Sequence, residues 1–276
     1  MTDEDPGPVV QRLILGEKLR ALREASGTGL DEANARVKWY RGKLSKVENG
    51  MLGLTEKELG TLLKAYGVGG PEAAEVSRLR AEARRRAAPE RVSDWAKQYI
   101  PLERAASEIS MVYAEIPGLL QTKQVAMITM RQSPVIRASE VEAMAAAREQ
   151  RGNRLYGEHA PQVRALLGEE AFARQIGPAH VMRDQLKRLR EMSDLPNVSI
   201  RAIPFDRGRP VGLTSPFTLL WIEPARASVA YVETLTNADY VKTITPYTLA
   251  FEQAEHEALS DEDSQVLLDR YIAATD

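Results

Sequence analysis

Two short helical segments, set only a few residues apart, constrain this chain more than any other feature. Thr28, followed three positions later by Asp31, forms a weak version of the capping box and predicts a helix from there to about Val37. A second helix is predicted from Arg41 to Asn49, with Leu44 and Val47 facing inward at i, i+3 spacing. Gly50 stands where a helix ends in the left-handed conformation.

The flanking sequence supplies partners for this pair. Leu15, Leu19 and Leu22 form an apolar stripe on an earlier helix that ends near Ser26 and Gly27. Thr55 and Glu58 make a full capping box for a helix that carries Leu59, Leu62, Leu63 and Tyr66 and stops at Gly67. Pro71 opens a further helix with Val76, Leu79 and Ala83, and Pro89 breaks it. Five short helices within residues 1–88 can share one small core. The spacing of the second and third matches a helix-turn-helix, in which the later helix enters the DNA major groove.

Charge is concentrated at that place. Arg36, Lys38, Arg41, Lys43 and Lys46 occur with no acid between them, on a chain whose net charge is only −2. Such a patch is either a solvated face or a phosphate footprint. With Leu44 and Val47 buried, Arg41 and Lys46 point outward, where arginine can pair with guanine and lysine with guanine or phosphate. Tyr40, Lys43 and Asn49 are better placed for backbone phosphates, which fix position rather than sequence. Gly42 lets the helix approach the groove closely. Ser45 either contacts phosphate or bonds its own backbone. Trp39 is expected to pack at the turn.

After Pro89 the pattern changes. Gln162–Leu167, Val198–Ile203, Phe217–Ile222 and Val229–Glu233 are short, rich in β-branched or aromatic residues, and read as strands. Helices are expected from Met111 to Met130 with an interruption at Pro117-Gly118, and over Glu140–Tyr156, Val181–Met192, Thr248–Leu259 and Asp263–Ala274. The expected organisation is thus multidomain: an all-α five-helix domain (1–88), a hinge (89–94) and a mixed α/β regulatory or partner-binding domain (95–276).

Other classes lose support. The chain has 276 residues and no cysteine, so disulfides and thiolate metal sites are excluded. No run of about 18 apolar residues could span a membrane, and the acidic N-terminus does not resemble a secretory signal. A cytoplasmic protein is expected. His159, His180 and His256 are far apart, and Gly67-Val68-Gly69-Gly70 lacks the Lys-Ser/Thr of a phosphate loop. No catalytic residue, metal or cofactor is expected, and no enzymatic activity. Pro117-Gly118-Leu119-Leu120-Gln121-Thr122 reads as architecture, with Leu119 and Leu120 buried beside a turn.

Leu44-Ser45-Lys46-Val47-Glu48-Asn49-Gly50 resembles the xenobiotic-response-element (Cro/C1-type) helix-turn-helix family. The remainder resembles the antitoxin-like regulator domain that accompanies it in actinobacteria. That likeness is carried by the Pro117–Thr122 segment, Val181–Leu186, Pro196–Val198, Pro204-Phe205, Ser215–Leu220 and Val229–Thr234. The resemblance implies a transcriptional regulator, and the Arg41–Asn49 helix with its basic neighbours leads to the expectation of a homodimer on double-stranded DNA. Arg41, Gly42 and Lys46 fall at base-reading positions, and Lys43 and Asn49 at backbone-contact positions. It also implies a neighbouring gene for a small partner protein, so an antitoxin-like interaction module with weak DNA binding stays open. The sequence departs from the family at Thr28, Asn34, Lys38 and Tyr40. A buried Asn34 would need hydrogen bonds or cost about 1–3 kcal/mol, unless a one-residue shift puts Ala33 in the helix contact instead.

Overall fold

A computed structural model describes residues 7–84, 96–208, 210–234, 238–241 and 243–275. The chain divides into two compact units, Met1–Pro89 with Gln98–Ala105 and Ile222–Ala227 in one, and Glu90–Lys97, Ala106–Trp221 and Ser228–Asp276 in the other. The hinge expected at 89–94 lies outside the described residues.

The N-terminal part is all-α: α1 (Gly7–Ala25), α2 (Leu30–Arg36), α3 (Lys43–Glu48), α4 (Glu56–Ala65) and α5 (Gly70–Ala83). Its core joins Leu15, Leu19 and Leu22 of α1 to Ala33, Leu44, Val47, Leu59, Leu62, Leu63, Val76 and Leu79. All but Ala33 are stripe positions that helical spacing marks. The Thr55 hydroxyl accepts from the Glu58 amide, and the Glu58 carboxylate accepts from the Thr55 amide, so the capping box of α4 is complete. Gly16 marks a contact that the pattern did not disclose. A Cβ there would lie 2.3 Å from the Glu48 carbonyl oxygen, so α1 and α3 approach through bare backbone.

The following elements are α6 (Ala96–Ala105), β1 (Glu108–Tyr113), α7 (Lys123–Arg131), α8 (Val141–Asn153), β2 (Gln162–Gly168), α9 (Glu170–Ala173), α10 (Ala179–Met192), β3 (Val198–Ile203), α11 (Val211–Thr214), β4 (Phe217–Ile222), β5 (Ala227–Glu233), β6 (Ala238–Val241), α12 (Thr245–Glu257) and α13 (Asp261–Ala274). The fold is therefore an all-α region followed by a mixed α/β domain with one six-stranded sheet, ordered β3-β2-β1-β4-β5-β6. β1, β2 and β3 are parallel, and helices fill the connections that parallel pairing requires. β4 runs antiparallel to β1, and β6 to β5.

Two strands were not foreseen. The segment expected to open a helix at Met111 instead belongs to β1, whose Ile109, Met111, Val112 and Tyr113 are buried in the sheet centre. A strand covered on both faces reads as a continuous apolar run, which periodicity cannot separate from a helix. β6 is only four residues long and lies at the sheet edge.

Val112, Leu166, Ile203 and Phe217 pack on one face with Phe251 and Ala254 of α12. The opposite edge of the sheet, β3, is closed by the chain between α12 and α13. The Leu259 amide donates to the Ala202 carbonyl at 2.8 Å, the Ala202 amide to the Ser264 hydroxyl at 3.0 Å, and the Arg201 guanidinium to the Leu259 and Ala258 carbonyls. These bonds occupy the outward amide and carbonyl of Ala202 and blunt that end of the edge against a foreign strand.

The Pro117–Thr122 segment serves architecture, as its composition implied. Leu119 and Leu120 are buried in a single 3₁₀ turn. Gln185 of α10, itself fully buried, accepts from the Thr122 amide at 2.7 Å and donates to the Leu120 carbonyl at 2.9 Å. Gln121 donates to the Ile116 carbonyl and accepts from Arg148 of α8. The turn thereby ties two helices to the end of β1.

Candidate nucleic-acid interface

The chain between α2 and α3 sets the geometry of the site. α2 begins at Leu30 behind Gly29, and Thr28 does not cap it. Thr28 is buried, and its hydroxyl accepts from Ser26 at 2.8 Å. The capping expectation for α2 is therefore corrected. α3 likewise starts at Lys43, two residues later than expected, because Gly42 adopts φ 87°, outside any helical conformation. Arg41 and Gly42 thus belong to the turn that leads into the helix.

Asn34 is the residue that makes this turn work. Its side chain is buried, its Nδ2 donates to the Leu30 carbonyl at 3.0 Å, and its Oδ1 accepts from the Leu44 amide at 3.1 Å. Neither Gly42 nor any neighbouring side chain caps α3, so Asn34 takes that role from the preceding helix. Ala33 is buried in the same contact, and no one-residue shift is needed. Lys38 occupies the left-handed region at φ 56°, where a side chain costs about 1–2 kcal/mol.

Around α3 the expected contact residues separate into two groups. Tyr40, Arg41 and Lys46 are exposed. The Arg41 side chain is 90% exposed, its Nε 3.9 Å from an Asp31 carboxylate oxygen, and the Lys46 ammonium lies 6.0 Å from the centre of the Tyr40 ring. Lys43 and Asn49 are instead engaged within the domain. The Lys43 ammonium pairs with Glu58 and sits 4.3 Å over the Trp39 ring, which packs against the core as anticipated. That partnership and the capping bonds from Thr55 hold the Glu58 carboxyl down at about 2. Asn49 accepts from Arg20 at 2.8 Å and donates to the half-buried Ser45 hydroxyl at 3.4 Å.

Behind this face lies an ion pair that the sequence reading missed. Glu48 is 2% exposed and accepts two bonds from Arg23, at 2.7 and 3.1 Å. Arg20 approaches at 3.7 Å. Arg23 also donates to the Thr28 carbonyl, and its bonds to Glu48 raise its own pKa. Burial, reinforced by the Glu48 charge, raises the Tyr66 hydroxyl well above its ordinary value. A lone acid at the end of an otherwise basic helix was the available signal. Its bidentate geometry fixes the rotation of α3 about its axis, and so which side chains face outward.

A short helix held from behind, with a cationic outer face, defines a helix-turn-helix protein carrying a larger α/β domain, and this build points to a DNA-binding regulatory role. Residues 14–76 match the family model described as Helix-turn-helix domain. Residues 96–270, more than half of the chain, match Domain of unknown function (DUF5753), and the chain belongs to that family. No curated protein and no solved structure matches it. Among the described residues, no helix is long and apolar enough to cross a membrane, and no group of three or more His, Cys, Asp or Glu is arranged to hold a metal ion.

Proposed function

We propose that the protein is a sequence-specific, dimeric DNA-binding transcriptional regulator of the xenobiotic-response-element type, acting in the cytoplasm, with α3 in the major groove. The observation that carries this reading is the exposed set Tyr40, Arg41 and Lys46, at the entry and on the outer side of a helix whose inner face is locked by Glu48 and Asn34. Arg41 and Lys46 read base edges, and Tyr40 contacts the backbone or a thymine methyl group. Gly42 provides the turn rather than a contact. Lys43 and Asn49 support the helix from within, and they reach phosphate only by giving up Glu58 and Arg20. The departures at Asn34 and Lys38 leave the cationic face in place, which favours DNA binding over a purely interacting module.

In this reading the DUF5753 domain governs the activity of the DNA-binding domain or receives a small partner protein, and the chain catalyses no reaction. Two protomers would address half-sites about 34 Å apart, or a multiple of that distance. Arg41→Ala with Lys46→Ala should abolish most of the discrimination between operator and random duplex, with the fold intact by circular dichroism. Equal discrimination by wild type and the double variant would reject the assignment.

A further inference from the structure

Asp31 places an acid beside the cationic turn that leads into α3. Asn34 joins the Leu30 carbonyl, at 3.0 Å, to the Leu44 amide, at 3.1 Å, so the first turns of α2 and α3 lie side by side. Asp31 follows Leu30 in α2, and Arg41 stands three residues before Leu44. The backbone itself thus brings these two residues together. Arg41 Nε lies 3.9 Å from an Asp31 carboxylate oxygen, and among the described residues this is the one ion pair of either side chain. Glu32, the other acid in the first turn of α2, is turned away to Arg36 at 2.7 Å.

Electrostatics makes that placement informative. A carboxylate near the phosphate backbone repels it, and so weakens binding to every sequence alike. In water an exposed pair such as this contributes little to stability. Against DNA the water is displaced and the same two charges interact more strongly. Nε is the guanidinium atom closest to Asp31, which leaves Nη1 and Nη2 for a partner. A guanidinium presents such a pair of nitrogens to O6 and N7 of guanine, and it can present the same pair to a phosphate. An acid fixed beside it disfavours the phosphate and orients the guanidinium plane. Specificity often rests on such a repulsive element as well as an attractive one.

We propose that Asp31 is a positioning residue for base readout: it holds Arg41 by Nε, so that the terminal nitrogens of Arg41 meet a guanine rather than a phosphate. The inference rests on the DNA-binding reading and adds to it the base that Arg41 selects and the residue that enforces the choice. Overall affinity falls because of the acid, and discrimination rises because of it. The two effects of Asp31 therefore have opposite signs, which separates this role from that of an ordinary surface acid.

The test uses the full chain and three kinds of duplex: the sequence upstream of its own gene, a scrambled duplex, and upstream duplexes with each G·C pair singly replaced by A·T. For the wild type, replacement of at least one G·C pair should weaken binding about tenfold. In Asp31→Asn that penalty should shrink to about threefold, while the scrambled duplex is bound about twofold more tightly. Asp31→Glu should restore most of the penalty. In Arg41→Ala the penalty should be absent, and adding Asp31→Asn should change it no further. An acid that served only the α2 macrodipole would shift the melting temperature and leave the penalty at its wild-type size. That result, or a penalty that persists in Arg41→Ala, would overturn the proposal. Preference for the upstream duplex with no such G·C pair would overturn it and leave the DNA-binding reading standing, whereas no preference at all would refute both.

Discussion

Asn34 offers the sharpest test of how the recognition helix is held. In Asn34→Leu the side chain keeps the same branched heavy-atom skeleton, with bulkier methyl groups, but loses its oxygen, so the Leu44 amide is left buried without its acceptor. An orphaned buried donor costs about 1–3 kcal/mol. The Leu30 carbonyl loses less, because it retains the i→i+4 bond of α2 itself. In Asn34→Ala a small void adds about 1 kcal/mol, for a total of about 2–4 kcal/mol. That corresponds to a factor of roughly 30 to 700 in the equilibrium for opening α3. Amide hydrogen exchange resolved at Leu44 reads this factor directly, while amides of α5 should respond less. The comparison separates cavity formation from loss of the hydrogen bond, since Asn34→Leu should accelerate exchange at Leu44 with no cavity to blame. Unchanged exchange at Leu44 and unchanged stability in Asn34→Leu would refute the capping role.

Three further outcomes are expected. Lys38→Gly removes left-handed strain at φ 56° and should stabilise the domain by about 1 kcal/mol in urea unfolding; a lower midpoint would contradict this. Glu48→Ala leaves the buried Arg23 guanidinium with only the Thr28 carbonyl and the exposed Glu24 and should cost about 3 kcal/mol in urea unfolding, whereas a loss below about 1 kcal/mol would reject the bidentate pair as the anchor of α3. Glu58 is held at about 2 against an ordinary 4.5, so its contribution is complete above pH 4.5 and is lost as pH falls through about 2. With solvent screening of the pair, thermal melts from pH 5 to pH 2 should lose about 1–2 kcal/mol from this group, and Glu58→Gln should lack that part of the slope.

The N-terminal core was legible because it is built from amphipathic helices, and apolar spacing records the buried face of such a helix directly. Leu19, Leu44, Leu59, Leu62 and Val76 were all placed by that rule. What escaped was the chemistry between helices. Asn34 and Glu48 are polar residues whose partners lie 10 and 25 positions away, and no local pattern shows that Leu44 lacks a cap or that Arg23 points inward. The start of α3 was misplaced for a related reason. Arg41 and Gly42 suit the beginning of a helix, and only the φ of Gly42 excludes them. In the α/β domain, Pro, Gly, Asp or Asn mark the bounds of four strands, but Met111–Tyr113 of β1 reads as the start of a helix because burial on both faces erases alternation.

The central claim is best tested by fluorescence anisotropy at near-physiological salt, comparing the duplex upstream of the protein's own gene with a scrambled duplex of equal length. A preference of about 1,000-fold or more for the native sequence is expected. Equal, weak and strongly salt-dependent binding to both duplexes would contradict it, leaving α3 as a cationic surface without sequence discrimination.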